Sequence, residues 1–272
     1  MQIKQALAVS SQLTSPSALT DIRLLLAHVL AWPLSRLLAY PEYQLTDMQN
    51  QLFAKLLKQR QAGTPIAYLI EQASFWSLEL YVNPSCLIPR PETEVLVETV
   101  LNLAANEPLK VLDLGTGSGA ISIALARERD NWQITGVDKS SEALLVAQRN
   151  CARYQLENIK LLQSDWLSNV AGKFKIIVAN PPYIAADDTH LSALEFEPQS
   201  ALVAADNGLA DLAKIISQAP HYLAHGGYLC LEHGYEQADA VGSLLAQADF
   251  SEIVCYQDLA ANPRVSVGYC KN

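Results

Sequence analysis

The sequence contains few residues that hold metals or disulfides, and those it has are scattered. No cysteine pair has C-x-x-C spacing and no histidine lies at metal-site spacing; the five cysteines are Cys86, Cys151, Cys230, Cys255 and Cys270. We therefore expect free thiols in a reducing, cytoplasmic setting and no bound metal. No run of about 18 uncharged apolar residues occurs, and the first residues lack the apolar stretch of a secretory signal. Neither a membrane-spanning helix nor export is expected.

Positive charge is also scarce. The 272 residues carry a net charge of −9, distributed unevenly along the chain. Residues 1–75 have six Lys or Arg against four Asp or Glu, a net +2, so the remainder carries −11. A strongly acidic domain is a poor binder of phosphate backbones. This balance disfavours nucleic acid as the direct substrate.

Hydrophobic periodicity divides the chain into three parts. Residues 1–72 show helical spacing, with Thr20 and Thr46 as expected N-caps and Gly63 as a helix end. Residues 73–90 alternate apolar and polar positions and predict a β-hairpin connector, with Asn83 and Pro84 in its turn. Residues 91–272 alternate strands and helices, typical of a doubly wound, mostly parallel α/β sheet. Seven strands are predicted, at 110–114, 132–138, 159–163, 174–180, 227–233, 252–257 and 265–270. A helix is expected after each of the first five, and the last two should form an antiparallel pair.

A glycine-rich loop, DLGTGSG, follows the first strand of this sheet. Ligands of such sheets bind beyond the carboxyl ends of the strands, and the glycines let the backbone approach a ligand closely. Asp138 ends the next strand, where a carboxylate can accept both hydroxyls of a ribose. The loop satisfies the dinucleotide fingerprint, and a purely structural turn is also open. However, Asp113 lies two residues before the first glycine, where it would repel a pyrophosphate and suit the ammonium group of S-adenosylmethionine, directly or through water.

Two further motifs follow later strands. In SDW, Asp165 is a candidate to accept from the adenine amino group and Trp166 to pack against its ring; an N-cap followed by a core tryptophan is the alternative. In VANPPYI, the strand runs into Asn180 and two prolines. A planar amide nitrogen is a weak nucleophile, and two acceptors that hold its hydrogens turn its lone pair toward a methyl donor. The Asn180 side-chain oxygen and the Pro181 carbonyl are those acceptors, and Tyr183 offers a stacking face.

The ordered set DLGTGSG, VD, SDW and NPPY resembles that of class I amino-methyltransferases. The chain is most similar to the PrmC/HemK family of release factor glutamine methyltransferases, and the resemblance covers essentially its whole length. It extends to LIPRPETE (87–94), FEPQSALVAADNGL (196–209), LCLEHGYEQADAV (229–241) and NPRVSVGY (262–269). The family usually has a glycine where this chain has Glu71, which leaves the geometry of the connector open.

The resemblance implies a Rossmann-like class I methyltransferase domain, with the helical domain recognising the protein substrate. The reaction it implies is methylation of the side-chain amide nitrogen (N5) of the glutamine in the GGQ motif of peptide chain release factors 1 and 2. The expected cofactor is S-adenosylmethionine, and the protein is expected to be a cytoplasmic monomer without direct nucleic acid or membrane contacts. The expected cofactor-binding residues are Asp113, Gly115, Thr116, Gly117, Ser118, Gly119, Asp138, Asp165, Trp166 and Asn180. The expected catalytic residues are Asn180, Pro181 and Tyr183, and Asn180, Pro181, Pro182 and Tyr183 are expected to bind substrate.

Two other functions are compatible with parts of this pattern. An adenine N6-methyltransferase of DNA or RNA also uses NPPY, on a flipped base, but needs a basic region to hold the strand. A non-catalytic module that binds a translation factor would be expected to have lost glycines or Asn180, and both are retained. For LIPRPETE, Arg90 is expected to form an ion pair, and Glu92 and Glu94 to be first-turn helix acids.

Overall fold

The computed structural model describes residues 1–104 and 107–271 and divides the chain into two compact units, Met1–Gln72 and Ala73–Asn272. The first unit is helical around its own apolar cluster. Asp21, buried in this unit, forms an ion pair with Arg60 at 2.8 Å. Its five helices are α1 (Ile3–Ala8), α2 (Ala18–Leu30), α3 (Leu34–Ala39), α4 (Asp47–Gln61) and α5 (Ile66–Leu69).

The helix ends of this unit agree only in part with the sequence prediction. Thr46 caps α4, where its hydroxyl accepts from the Gln49 amide at 3.2 Å, and Gly63 follows the helix with φ +102°. The prediction for Thr20 was wrong: α2 begins at Ala18, so Thr20 lies inside its first turn. Glu71 adopts φ +54°, the left-handed conformation that a glycine adopts without strain.

The second unit opens with the predicted hairpin, but its turn lies elsewhere. Strands β1 (Ala73–Phe75) and β2 (Leu78–Leu80) pair antiparallel around Trp76 and Ser77, both with positive φ. Two consecutive positive φ values are typical of the tight turn that matches strand twist. Asn83 forms a separate turn, in which its side chain accepts from the Ser85 amide at 2.9 Å. Pro84 therefore follows the hairpin instead of closing it.

All seven predicted strands are present in one sheet. Its spatial order is β5-β4-β3-β6-β7-β9-β8, and the first five strands in that order are parallel. The antiparallel end is confirmed, with β9 lying between β7 and β8. The strands are β3 (Lys110–Leu114), β4 (Gln133–Asp138), β5 (Ile159–Gln163), β6 (Phe174–Ala179), β7 (Leu223–Glu232), β8 (Ser251–Gln257) and β9 (Pro263–Cys270).

Helices cover both faces of the sheet, with one exception to the prediction. The expected helix after β5 is absent: residues 164–173 form turns and cross directly to β6. That segment has only ten residues, and Trp166 in it takes φ +50°, which a helix does not allow. The helices are α6 (Glu94–Leu103), α7 (Ala120–Glu128), α8 (Ser141–Arg153), a short irregular α9 (Ala205–Gly208), α10 (Ala210–Gln218) and α11 (Ala238–Gln247).

The order of the strands decides where a ligand can bind. β3 has β4 on one side and β6 on the other, so the chain reverses direction across the sheet at β3. The carboxyl ends of β3, β4, β6 and β7 therefore lie along one edge. None of the helices in the described ranges is long and apolar enough to cross a membrane.

Candidate active site

A cavity opens at this carboxyl edge, entirely within the second unit. Nine of the residues expected from the sequence line it: Gly115, Thr116, Gly117, Ser118, Asp138, Asp165, Trp166, Asn180 and Pro182. The wall is completed by residues from the segment after the hairpin and from the segment after NPPY, among them Cys86, Arg90, Thr93, Pro198 and Ser200. Four expected residues, Asp113, Gly119, Pro181 and Tyr183, are not part of the lining.

The glycine loop bends tightly around the end of β4. The amides of Gly115 and Thr116 both donate to the Val137 carbonyl at 2.8 Å. Gly115 has φ +73°, and a Cβ on it would lie 3.3 Å from the Trp166 ring. Both its backbone conformation and the space beside the indole therefore favour glycine at this position.

Asp138 shapes the loop and still faces the cavity. Its Oδ2 accepts from the Gly117 amide and its Oδ1 from the Ser140 amide, each at 2.9 Å. A carboxylate has about four acceptor positions, so these two bonds leave capacity for a pair of ligand hydroxyls. Asp138 is thus suited to the ribose role expected from the sequence.

Asp113 and Gly119 lie behind the loop. Asp113 is fully buried, and its Oδ2 accepts from the Thr116 and Ser122 hydroxyls, each at 2.7 Å. Burial raises the pKa of this carboxyl to about 6. Its Oδ1 is buried without a hydrogen-bond partner among the described residues. Gly119, the N-cap of α7, has φ +83°, and a Cβ there would lie 3.3 Å from Ala147. Its role is in helix packing.

The SDW segment contributes a ring and an acid to the cavity wall. The Trp166 indole nitrogen donates to Asp211 at 3.0 Å, which fixes the ring beside Gly115. Asp165 is an exposed ion-pair partner of Lys214 at 3.2 Å. Its carboxylate is engaged by a surface lysine, and the adenine contact stays a prediction.

Asn180 presents an acceptor at the end of β6. Its side-chain NH2 donates to the Thr93 hydroxyl at 3.1 Å. No described residue donates a hydrogen bond to its Oδ1 or to the Pro181 carbonyl. Pro181 and Pro182 are buried and have no N–H, so no donor of their own competes with a ligand at this corner. Among the described residues, neither of these two oxygens is thus engaged by a donor.

Tyr183 is turned away from the cavity wall. Its ring packs, half-buried, beside the apolar cluster under α10 and α11, and its hydroxyl donates to Glu232 Oε1 at 3.3 Å. Burial, with the nearby Glu232 carboxylate, raises the pKa of its hydroxyl. Pro181 is likewise held inside, leaving Pro182 as the proline on the cavity wall.

Arg90 forms the ion pair that the sequence predicts, with Glu197. Glu197 is buried and also accepts from the Ile88 amide at 3.1 Å. These bonds tie LIPRPETE to the segment after NPPY at the mouth of the cavity. Of the two expected helix acids, Glu94 starts α6 and accepts from the Trp76 amide at 2.9 Å.

Several residues behind NPPY were not singled out from the sequence. Gln237 donates to the Tyr183 carbonyl at 3.0 Å, and a Cβ on Gly208 would lie 2.1 Å from that carbonyl oxygen. Glu232, at the end of β7, is fully buried. The sequence signal for Glu232 is one acid that ends an otherwise apolar strand; Gly208 and Gln237 give no such signal.

The donor set fits S-adenosylmethionine. Asp138 suits a ribose and the Trp166 ring suits a purine. Asp113, fully buried behind the loop, supports the loop through Thr116 and does not line the cavity. Among residues 1–104 and 107–271 no group of three or more His, Cys, Asp or Glu side chains is arranged to hold a metal.

The chain also resembles known proteins in sequence. Residues 2–70 match the model of the PrmC N-terminal domain, and residues 91–238 match that of the methyltransferase small domain. The release factor glutamine methyltransferase of Vibrio cholerae is 46% identical, over 99% of this chain and 96% of its own. The chain belongs to the release factor glutamine methyltransferase family. A second family member, from Pseudomonas aeruginosa, is 47% identical over 93% of each chain.

The fold of this family member is also found in solved structures of other methyltransferases. The Thermus thermophilus 16S rRNA N2 G1207 methyltransferase, solved with S-adenosylmethionine and guanosine, superposes with a TM-score of 0.55. It is 22% identical and covers 73% of this chain and 49% of its own. The shared feature is the class I methyltransferase fold, for which S-adenosylmethionine is the cofactor.

Proposed function

We propose that this protein methylates the side-chain amide nitrogen of the glutamine in the GGQ motif of peptide chain release factors. Membership of the release factor glutamine methyltransferase family over nearly the whole chain supports this assignment. The observation that carries the chemistry is Asn180 on the wall of the cofactor cavity, with an Oδ1 that accepts no hydrogen bond from a described residue. The Pro181 carbonyl, the next acceptor along the chain, is equally without a donor among the described residues.

The two acceptors act on the substrate nitrogen. An amide nitrogen is planar, and its lone pair is delocalised into the carbonyl. When both N–H bonds point at fixed acceptors, the lone pair is directed out of the amide plane. The Thr93 hydroxyl holds the Asn180 side chain with its oxygen free for this task. Rigid proline backbone keeps the second acceptor at a fixed distance.

The remaining wall residues serve the cofactor. S-adenosylmethionine supplies an electrophilic methyl group on a sulfonium, whose sulfur retains the electron pair when the methyl leaves. Asp138 would hold the ribose hydroxyls, Trp166 would pack on the adenine, and residues 115–118 would contact the rest of the molecule. As the new N–C bond forms, the nitrogen releases one proton to water, so a strong base is not needed.

The substrate is a protein, and this assigns roles to the two units. Residues 1–72 would recognise the release factor, residues 73–90 would connect, and residues 91–272 would catalyse. The net charge of −11 beyond residue 75 argues against direct nucleic acid binding. We place the protein in the cytoplasm, where release factors act, and expect it to work as a monomer.

A methyl-transfer assay tests this function. Labelled S-adenosylmethionine is offered with a release factor, with the same factor carrying alanine for the GGQ glutamine, and with double-stranded DNA. A single added methyl on the GGQ glutamine, located by mass spectrometry and absent from the alanine factor, is the expected result. Label in adenine would instead make the protein a nucleic acid methyltransferase with the same cofactor site.

A further inference from the structure

A strained turn lies directly behind the NPPY corner, and the chemistry proposed above makes no use of it. Asp206, Asn207 and Gly208 have φ values of +54°, +54° and +83°, so three consecutive residues are in the left-handed conformation. A Cβ on Gly208 would lie 2.1 Å from the Tyr183 carbonyl oxygen, which shows how closely the turn packs against the end of NPPY. Strained backbone persists only where the surrounding structure holds it, and it is concentrated at functional sites. The position of this turn indicates a role at the NPPY corner.

The Gln237 side chain holds the turn and NPPY together. Its Nε2 donates to the Tyr183 carbonyl at 3.0 Å and to the Asn207 carbonyl at 3.2 Å. Its Oε1 accepts from the Gly234 amide at 2.9 Å. A side-chain amide has two N–H donors, and both are used here; the flipped amide would place its oxygen against two carbonyls. The orientation of the Gln237 amide is therefore fixed, and three segments of the chain meet at it.

The two prolines alone do not fix the NPPY corner. A proline ring fixes φ but leaves ψ free to rotate. Rotation about ψ of Pro181 would move its carbonyl, the second acceptor of the proposed mechanism. One end of the corner is held by the sheet, where Ala179 at the end of β6 pairs with Leu231 of β7. The other end must also be held if that carbonyl is to keep its place.

Backbone and side-chain hydrogen bonds together hold this other end. The Ile184 amide donates to the Leu202 carbonyl, and the Ala204 amide donates to the Ile184 carbonyl, each at 3.0 Å. These bonds join NPPY to the segment that forms the adjacent wall of the cavity. The Tyr183 carbonyl, which belongs to the same peptide group as the Ile184 amide, is bound by Gln237. Both sides of this peptide group are therefore engaged.

We propose that Gln237 is a positioning residue for methyl transfer, which fixes the Tyr183 end of NPPY. With that end fixed, Asn180 Oδ1 and the Pro181 carbonyl keep the separation that the substrate NH2 requires. The proposal rests on the function proposed above. Gln237 is not part of the cavity lining, so it acts through the NPPY backbone. The left-handed turn supplies the second carbonyl for its NH2 group, and Gly208 allows the turn to approach.

Steady-state kinetics of Gln237→Met test this role. Methionine has about the length of glutamine but has no N–H donor, and α11 loses no cap because the Gln237 side chain makes no cap bond to it. We expect kcat to fall roughly 10- to 100-fold, because a small displacement of a group at the reaction centre is costly. KM for the release factor and Kd for S-adenosylmethionine should change by about twofold or less. Gln237→Glu, which keeps the acceptor for the Gly234 amide and loses both donors, should lower kcat at least as much.

Asn158→Leu is the matched control. The Asn158 side-chain NH2 also donates to backbone carbonyls, those of Ala126 at 3.3 Å and Trp132 at 3.2 Å, and the residue is half-buried like Gln237. It precedes β5 and so lies at the amino edge of the sheet, opposite the cavity. A general loss of stability would affect both proteins alike, but Asn158→Leu should keep kcat within about twofold of the wild-type value. A kcat in the two Gln237 variants as high as in Asn158→Leu would overturn the proposal.

Hydrogen exchange without substrate separates this proposal from the function itself. The Ile184 amide should exchange faster in Gln237→Met than in the wild-type protein, because the carbonyl of its own peptide group is no longer held. In Asn158→Leu it should exchange at the wild-type rate. Equal exchange of this amide in Gln237→Met and the wild-type protein would contradict the proposed role of Gln237. A wild-type protein that is inactive on release factor but shows the exchange difference would overturn only the proposed function.

Discussion

The proposed mechanism requires the Asn180 side chain to face the substrate with its oxygen and not with its NH2 group. A substitution at Asn180 tests this requirement. Asn180→Ala removes one of the two acceptors for the substrate NH2. We expect transfer to fall by roughly 100-fold or more, the typical effect of deleting one preorganised hydrogen-bonding group at a reaction centre. Cofactor affinity, measured by calorimetry, should drop only modestly, because Asp138 and the glycine loop remain. Wild-type turnover in this variant would contradict the acceptor mechanism.

Glu71 stands where the family resemblance leads us to expect a glycine, and its backbone has the left-handed conformation that suits glycine. At φ +54° the backbone of a residue that has a Cβ is strained, and the Glu71 side chain is exposed. Glu71→Gly should therefore stabilise residues 1–72 by about 0.5–1 kcal/mol. Hydrogen exchange of the slowest amides of α2 and α4 measures this unit by itself.

Glu71→Ala is the matched control for that change, because it removes the same side chain but retains the Cβ. Its exchange rates should stay close to wild type. If alanine stabilises as much as glycine, the side chain and not the backbone conformation is the source of the strain.

Most residues that line the cavity at the strand ends could be predicted from the sequence, and the residues that support them could not. Asn180, Asp138 and the loop glycines each lie at or just after the end of a predicted strand, in the order typical of a cofactor site. Glu232 and Asn180 are far apart in sequence, and the pairing of β6 with β7 brings these two strand ends together. Thr93 reaches Asn180 from a third segment, just before α6. The exclusion of Tyr183 from the cavity has the same origin, since its partner is Glu232.

At the scale of elements, strands were easier to predict than the connections between them. Buried parallel strands have a strong apolar signature, and the ends of all but β7 lay within two residues of the prediction; β7 begins at Leu223, four residues earlier. The absent helix after β5 depends on Trp166, whose ring is needed beside Gly115. The hairpin turn depends on two non-glycine residues with positive φ, which composition does not reveal.

The ion pair between Arg90 and Glu197 joins two elements at the mouth of the cavity. Because Glu197 is buried, removing Arg90 alone leaves a carboxylate without its charge partner. Arg90→Met should lower the free energy of unfolding by about 2–4 kcal/mol and weaken binding of S-adenosylmethionine. Urea denaturation and calorimetry measure the two effects.

Adding Glu197→Gln to Arg90→Met distinguishes two causes of the lost stability: loss of the attraction within the ion pair, and the cost of an unpaired buried carboxylate. The glutamine oxygen can still accept from the Ile88 amide, and no buried charge remains. The double variant should recover at least half of the lost stability. A double variant less stable than Arg90→Met alone would show that the pair acts through packing.

At the scale of the whole molecule, two fully buried carboxyls give stability an unusual dependence on pH. Burial raises the pKa of Asp113 to about 6 and that of Glu232 to about 7, from ordinary values of 3.8 and 4.5. Each carboxyl then binds its proton more tightly in the folded protein than in the unfolded chain. The stability from that proton is complete below the unfolded pKa and is lost as the pH rises through the folded pKa.

The contribution of Glu232 to this pH dependence of stability can be isolated with one variant. Between pH 5 and pH 8 the wild-type protein should lose about 2–3 kcal/mol of unfolding free energy more than Glu232→Gln, which has no proton to release there. Urea denaturation of both proteins at the two pH values gives this difference, and all other titrating groups cancel in it. Burial is the main cause of the raised pKa of Glu232; among its charged neighbours, Arg264 favours the ionised form and Glu92 opposes it. Parallel pH dependences in the two proteins would mean that Glu232 is ionised throughout, held by a donor closer than Thr93 and Tyr183.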